Sequence, residues 1–189
     1  MDFTLTDIQQ DFLKLAHDFG EKKLAPTITE RDHKGIYDKD LIDELLSLGI
    51  TGAYFEEKYG GSGDDGGDVL SYILAVDELA KYDAGVAITL SATVSLCANP
   101  IWQFGTEAQK EKFLVPLVEG SKHGAFGLTE PHAGNDASGQ QTVAVKNDDG
   151  TYTLNGSKIF ITNGGAADIY IVFAMTDKSK GNHGITAFI

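Results

Sequence analysis

The chain has 189 residues, 42% of them hydrophobic and 10% aromatic, enough apolar matter for a packed core of one or two domains. Its formal net charge of −13 excludes a nucleic-acid partner, which would need a basic face. Cys97 is the only cysteine, so no intrachain disulfide can form and a reducing, cytoplasmic setting is expected. The start, Met1 to Asp7, has neither a basic nor an apolar stretch and does not read as a signal peptide. No apolar run approaches the ~18–20 residues of a membrane span, so no membrane is expected as a partner.

Helix signals dominate up to residue 121. Thr6 with Gln9 forms a capping box, and Ile8, Phe12, Leu15, Ala16 and Phe19 follow at helical spacing. A second helix is predicted from about Lys39 through Leu48, stopped by Gly49. The segment Gly60–Gly67 reads as a flexible loop. Its letters Gly61-Ser62-Gly63-Asp64-Asp65-Gly66 match a dinucleotide fingerprint, but no buried strand precedes them and two aspartates stand where a pyrophosphate would approach. A third helix follows Gly67, with Val69, Ile73, Val76 and Ala80 as its apolar positions. Gly85 to Ala98 is apolar nearly all round, the pattern of a helix buried on every side. Thr106 with Gln109 opens a last short helix, which Pro116 disturbs.

The pattern then switches to short β segments. Val143 and Val145 alternate with polar neighbours, and the turn Asn147-Asp148-Asp149-Gly150 leads to Thr151–Leu154. Asn155-Gly156 is a two-residue hairpin signal that would carry the meander into Ser157–Ile161. Ile169–Met175 and Gly184–Ile189 read as further strands. The expected fold is α+β, a helical domain over 1–121 followed by the opening of an antiparallel β domain over 122–189. Because the last segment stops inside a strand, truncation of a longer protein is the expectation.

His17, His33, His123, His132 and His183 show no zinc-ligand spacing with a second His, Cys or carboxylate, so no metal site is expected. Cys97, in the most apolar helix, reads as a small hydrophobe. Two segments invite a ligand. Phe126 to Ser138 is a Gly/Pro-rich connection whose hydroxyl, amide and backbone N–H groups suit an anion, with a plain loop an equal alternative. Lys158 to Gly165 reads as a strand entering a Gly-Gly turn, with Phe160 a core residue and the Thr162 hydroxyl on the same side.

Together these two segments resemble the flavin signatures of the acyl-CoA dehydrogenases. Thr129-Glu130-Pro131-His132-Ala133-Gly134-Asn135-Asp136 is similar to their Thr-Glu-Pro-x-Ala-Gly-x-Asp loop, and Lys158-Ile159-Phe160-Ile161-Thr162-Asn163-Gly164 to their Lys-x-aromatic-Ile-Thr-Asn-Gly segment. Tyr59-Gly60-Gly61-Ser62-Gly63 resembles a third family loop, with Glu56 where a proline is usual. The resemblance covers the whole chain and is strongest to the short-chain, butyryl-CoA type of fermentative bacteria.

The resemblance implies FAD-dependent α,β-dehydrogenation of a short-chain acyl-CoA, butyryl-CoA to crotonyl-CoA, with electrons passed to an electron-transfer flavoprotein and a homotetramer at full length. It places Phe126, Leu128 and Thr129 against the flavin ring and its pyrimidine side. Asn135 stands where the family usually has Ser or Thr, touching the FAD phosphate region and the acyl-CoA. Phe160 stands where Trp is common, beside the flavin, and Ile161 and Thr162 lie at flavin N5. The helix around Thr89–Pro100 would wall the acyl pocket. The family's base, a glutamate of its C-terminal helical domain, has no counterpart in this sequence, and nothing promotes Glu130 to that role. The chain alone is therefore expected to be inactive. An acyl-CoA oxidase and a non-catalytic flavin- or acyl-CoA-binding module are the alternatives.

Overall fold

The computed structural model describes residues 3–64 and 66–189. Met1, Asp2 and Asp65 lie outside the described residues, and with them the first two positions of the amino-terminal reading and one aspartate of the fingerprint-like loop.

Helix α1 (Asp7–Phe19) begins at the expected capping box, with Gln9 N–H donating to Thr6 Oγ1 at 3.3 Å and Thr6 N–H to Gln9 Oε1 at 3.0 Å. It runs on through a π-helical turn (Gly20–Leu24) and buries Phe12, Ala16 and Phe19 along α4. Helix α2 (Ile28–Lys34) was not expected; it buries no residue fully, so it shows no apolar period. Helix α3 (Lys39–Leu46) buries Ile42, Leu45 and Leu46. Gly49 then takes φ +83, the left-handed stop that a glycine permits.

Helix α4 (Val69–Ala80) departs from the expected face. Tyr72, Ala75 and Leu79 are buried, whereas Val69 and Ile73 are 58% and 50% exposed. The helix is apolar on both sides, so periodicity selects no unique face. Its rotation is fixed at the N-cap, where Asp68 accepts from Ser71 N–H at 2.7 Å and from Gln9 Nε2 at 2.9 Å. In the glycine loop before it, Gly61, Gly63 and Gly67 are closely packed against the preceding turn. A Cβ on Gly61 would lie 2.1 Å from Phe55 O, and one on Gly67 2.1 Å from Ala53 O. Close backbone approach, with Gly63 N–H on Phe55 O at 2.8 Å, is what these glycines serve.

Helices α5 (Ala84–Ser91) and α6 (Asn99–Phe104) are joined by a π-helical stretch (Ala92–Ala98) into one 21-residue helix. Two expectations are corrected here. This helix does reach the length and mean hydropathy of a membrane span, although it forms the centre of the helical core. Nor is it buried on every side, since Ile88 and Leu96 are 54% and 42% exposed along one stripe. Helix α7 (Glu107–Gln109) opens at the Thr106 capping box and passes through a π-turn into α8 (Val115–Val118), with Pro116 in its first turn.

The sheet is mixed rather than purely antiparallel. Strand β1 (Gly124–Gly127), hidden from sequence reading by its glycines, pairs in parallel with β4 (Ile169–Met175), from Gly124↔Ile169 to Gly127↔Val172. Strands β2 (Val143–Lys146) and β3 (Tyr152–Asn155) form an antiparallel hairpin across the Asn147–Gly150 turn, where Gly150 has φ +86. Strand β5 (Ile185–Phe188) runs antiparallel to β4. The Asn155-Gly156 hairpin does not exist, for neither residue has positive φ. Gly156 instead allows Thr142 to approach, a Cβ there lying 2.3 Å from Thr142 Oγ1. The strand expected over Ser157–Ile161 is also absent.

Helices and sheet meet at several close contacts, among them those of Gly124 and His123. Gly124 lies against Cys97, a Cβ there falling 2.5 Å from Cys97 Cβ. His123, 1% exposed, stands between Asp43 Oδ1 at 2.6 Å from Nε2 and the Tyr37 hydroxyl at 2.8 Å from Nδ1. Burial, with the charges of Asp43 and Asp168 adding to it, pushes the Tyr37 hydroxyl up to about 12, so it stays protonated.

Candidate functional site

The parallel pairing of β1 with β4 carries the chain out of the sheet at Leu128 and Thr129, beside the long helix. The segment after β3 returns to the same place. Phe126, Leu128, Thr129, Phe160, Ile161 and Thr162, six of the seven residues singled out from sequence, line one cleft of about 150 Å³ together with Ala92 and Leu96 of the long helix. Phe126 is set from behind by an edge-on contact with Phe173, ring centroids 5.1 Å apart. Asn135 is not among the lining residues. It is exposed, and its side chain makes no hydrogen bond to the described residues. Larger clefts of about 640 and 700 Å³ lie elsewhere on the helical unit and contain none of the seven.

The cleft has apolar walls and unused donors. The hydroxyls of Thr129 and Thr162 and the N–H groups of Phe160, Ile161 and Thr162 make no hydrogen bond to other described residues. No lining residue is titratable at neutral pH. Such a surface offers hydrogen-bond donors within apolar walls and carries no group for proton chemistry of its own.

Phe160 departs from the core and strand readings of its segment. It is neither core nor strand: it is 89% exposed and has φ +56. For a bulky residue that is a strained conformation, of the kind that persists where the surroundings over-determine it.

The surroundings are polar and buried. Lys158 Nζ donates to Leu128 O at 2.9 Å, Glu130 Oε1 at 2.8 Å and Gln140 Oε1 at 3.1 Å. Glu130 also accepts from the N–H groups of Gln141 at 2.5 Å and Thr142 at 3.0 Å. Burial raises its pKa, but the bonds from Lys158, Thr142 and the Gln141 amide outweigh burial and pull it to about 2. Glu130 is therefore a locked anion and a poor base. On the other flank Asn163, at φ +64, donates from Nδ2 to Gly124 O at 2.9 Å and Thr89 O at 3.0 Å, with Thr93 Oγ1 at 3.4 Å.

Sequence reading did not single out Lys158 or Asn163, nor Ala92 and Leu96 by name. Their place in the Lys-x-aromatic-Ile-Thr-Asn-Gly segment was the signal, and a strand template concealed it. Cys97 behaves as read: burial pushes its thiol up to about 12, and it is no nucleophile.

Residues 6–121 match the family model described as acyl-CoA dehydrogenase, N-terminal domain, and residues 125–189 match acyl-CoA dehydrogenase, middle domain. The short-chain-specific acyl-CoA dehydrogenase of Megasphaera elsdenii is 95% identical over 189 residues, which is 100% of this chain and 49% of that protein. The solved structure of butyryl-CoA dehydrogenase from Megasphaera elsdenii superposes with a TM-score of 0.97 at 95% identity, covering 100% of this chain and 49% of the other. A chain in the structure described as electron transferring flavoprotein of Acidaminococcus fermentans gives 0.95 at 62% identity, with 100% and 48% covered. The chain thus spans about half the length of the curated relatives it matches. With the two family models matching residues 6–121 and 125–189 of this helical-plus-sheet architecture, the chain belongs to the acyl-CoA dehydrogenase family.

Proposed function

We propose that the 150 Å³ cleft is one wall of the FAD site of a short-chain acyl-CoA dehydrogenase. The observation that carries this reading is the set of free donors, the Thr129 and Thr162 hydroxyls and three successive N–H groups, in a cleft otherwise lined by Ala92, Leu96, Phe126, Leu128 and Phe160. The ring edge of a flavin presents carbonyl and nitrogen acceptors, and its faces are apolar; the donor set fits the edge and the side chains fit the face. Leu128, Phe126 and Phe160 supply flat contact, and Thr129 and Thr162 orient the ring through hydroxyl donors. When bound, FAD accepts the hydride of the dehydrogenation.

The substrate class is a short-chain acyl-CoA, with butyryl-CoA the first to test. Ala92 and Leu96 put the long helix against the cleft, where its exposed stripe, with Ile88, would bound the acyl chain. The proton acceptor is not among the lining residues, and Glu130, held near a pKa of about 2 by Lys158, does not serve. Asn135, exposed at the loop tip, would meet the phosphate region of FAD or the CoA through its amide. Electron-transfer flavoprotein as electron acceptor and assembly of the full protein as a homotetramer belong to the same reading.

The test is a titration of the chain with FAD, followed by quenching of flavin fluorescence. Saturable quenching in the native chain, weakened in the Thr129→Ala/Thr162→Ala double variant, is expected. Removing two neutral hydrogen bonds at ~0.5–1.5 kcal/mol each weakens affinity by roughly 5- to 150-fold. Quenching that does not saturate, or that the double variant leaves unchanged, defeats the assignment. Dye reduction by butyryl-CoA is expected to be absent in the chain alone.

A further inference from the structure

The strained residue of the cleft is also the one whose side chain touches least. Phe160 holds φ +56 while 89% exposed, so its own packing does not impose the conformation. The imposed geometry comes from its flanks. Two residues before it, Lys158 spends all three ammonium protons on Leu128 O, Glu130 and Gln140, and Ile159 N–H is fixed to Thr129 O at 2.9 Å. Three residues after it, the Asn163 carboxamide is bound to Thr89 O of the long helix and Gly124 O of β1. The chain must therefore cover the interval from 158 to 163 between two fixed points.

An extended path through this interval would place its N–H groups in a sheet ladder, as the residue pattern suggests. The observed path bends at Phe160, and the N–H groups of Phe160, Ile161 and Thr162 stay free. We propose that Lys158 and Asn163 are the positioning residues of the cleft, two anchors, one largely and one fully buried, that force the left-handed bend at Phe160 and thereby keep three donors out of the sheet for a ligand. Glu130 enters as the counter-charge that seats Lys158 and ties both sequence segments into one unit. The ligand named here rests on the flavin reading above; the anchoring itself does not.

The experiment compares the native chain with Lys158→Met and Lys158→Arg by backbone NMR, amide exchange and FAD titration. In Lys158→Met the Phe160 carbon shifts should leave the left-handed range, and the Ile159, Gln141 and Thr142 amides should exchange faster. FAD affinity should fall at least roughly tenfold, the size expected for a lost charged hydrogen-bond set, and Lys158→Arg should restore most of it. A tether that merely holds the loop predicts faster exchange at Gln141 and Thr142 with Phe160 unmoved; that result overturns the proposal. So does FAD affinity within about twofold of native when Phe160 has moved. If the native chain binds no FAD, the flavin reading fails while the Phe160 shifts still decide the anchoring. Should Lys158→Met not fold, Asn163→Gly, which keeps the left-handed backbone and deletes the carboxamide, is read by the same two outcomes.

Discussion

The helical unit buries Phe55, Leu24, Leu45, Leu46, Ile50, Leu79 and Leu90 in one large apolar cluster, with Glu78 and Asp83 among the buried polar groups at its margin, whereas the unit carrying most of the cleft has a smaller apolar share, chiefly Ala125, Ala144, Ala174, Ile171 and Met175, beside Glu130, Gln140, Thr142 and Asn163. Apolar burial is non-directional and tolerates small displacements. Buried polar groups are directional, and their bonds hold only within hydrogen-bond geometry; among the four, Thr142 Oγ1 and Asn163 Oδ1 have no partner among the described residues. The first unit is thus held by quantity of contact, the second by placement, and the placed unit is the one that presents the donors.

The largest expected effect is on the apolar side. Leu90, fully buried in the long helix, packs in the shared core, and Leu90→Ala should cost about 2–5 kcal/mol through lost transfer and an unfilled cavity. Trp102, the only tryptophan, packs edge-on against Phe55 and reports this unit by fluorescence. A thermal melt should shift strongly in the Trp102 signal. A loss under about 1 kcal/mol would show that the core collapses onto the site, and that quantity of contact is not what holds it.

Acid should break the other side. The Glu130 carboxyl has its folded pKa depressed to about 2, below the ~4.3 of an unfolded chain, so its contribution is present above about 4.3 and is lost as pH falls toward 2. With the carboxylate 5% exposed, the loss is on the order of 3 kcal/mol. Asp43 and Glu78 in the helical unit are also lowered, by Lys39 and Lys81 first, but they sit beside its large apolar cluster and not within it. Between pH 4.3 and 2 the Gln141 and Thr142 amides should lose protection before Trp102 responds. Simultaneous loss of both signals would erase the distinction between the units.

The same contrast explains what could be read from sequence. Capping boxes at Thr6 and Thr106, the Gly49 stop and strand β4 were legible because each rests on a local rule. The exposed face of α4 was not, because Val69 and Ile73 obey the helical period as well as Tyr72 and Leu79 do, and long-range contacts with α1, the Gln9–Asp68 bond among them, select between them. In the cleft, the residue identities were legible through family resemblance, and the cleft gathers all of them but Asn135. The bend was not: alternation at Lys158–Thr162 mimics a strand, and the bonds that defeat it join positions up to 74 residues apart.

Asn163 allows the clamp to be separated from its backbone. Asn163→Ala leaves Thr89 O and Gly124 O without their donor and puts a Cβ-bearing residue without a local partner at φ +64. The expected cost is about 2–3 kcal/mol. Asn163→Gly suffers the first loss but not the second, so it should be less destabilising by roughly 1 kcal/mol. Chemical denaturation of the three proteins gives the comparison directly. Equal costs would mean that the left-handed conformation at 163 carries no strain, and that the anchoring is purely a matter of the carboxamide.

Phe160 gives the smallest effect and the one with an unusual sign. Replacing an aromatic by glycine ordinarily destabilises, through lost packing and a freer unfolded chain. Here the ring is 89% exposed, so little packing is at stake. Its φ of +56 is unfavourable for a Cβ-bearing residue by roughly 1–2 kcal/mol and costs glycine almost nothing. Set against ~0.5–1 kcal/mol of extra unfolded-state entropy, Phe160→Gly should stabilise the chain by up to about 1.5 kcal/mol. The flavin reading adds a second sign. If the Phe160 ring covers one face of the flavin, the same substitution weakens FAD binding while it raises the melting temperature. Stability and affinity moving in opposite directions would mark strain retained for the sake of a ligand; a fall in both would mean that the ring packs in solution and that the bend is held by ordinary contact.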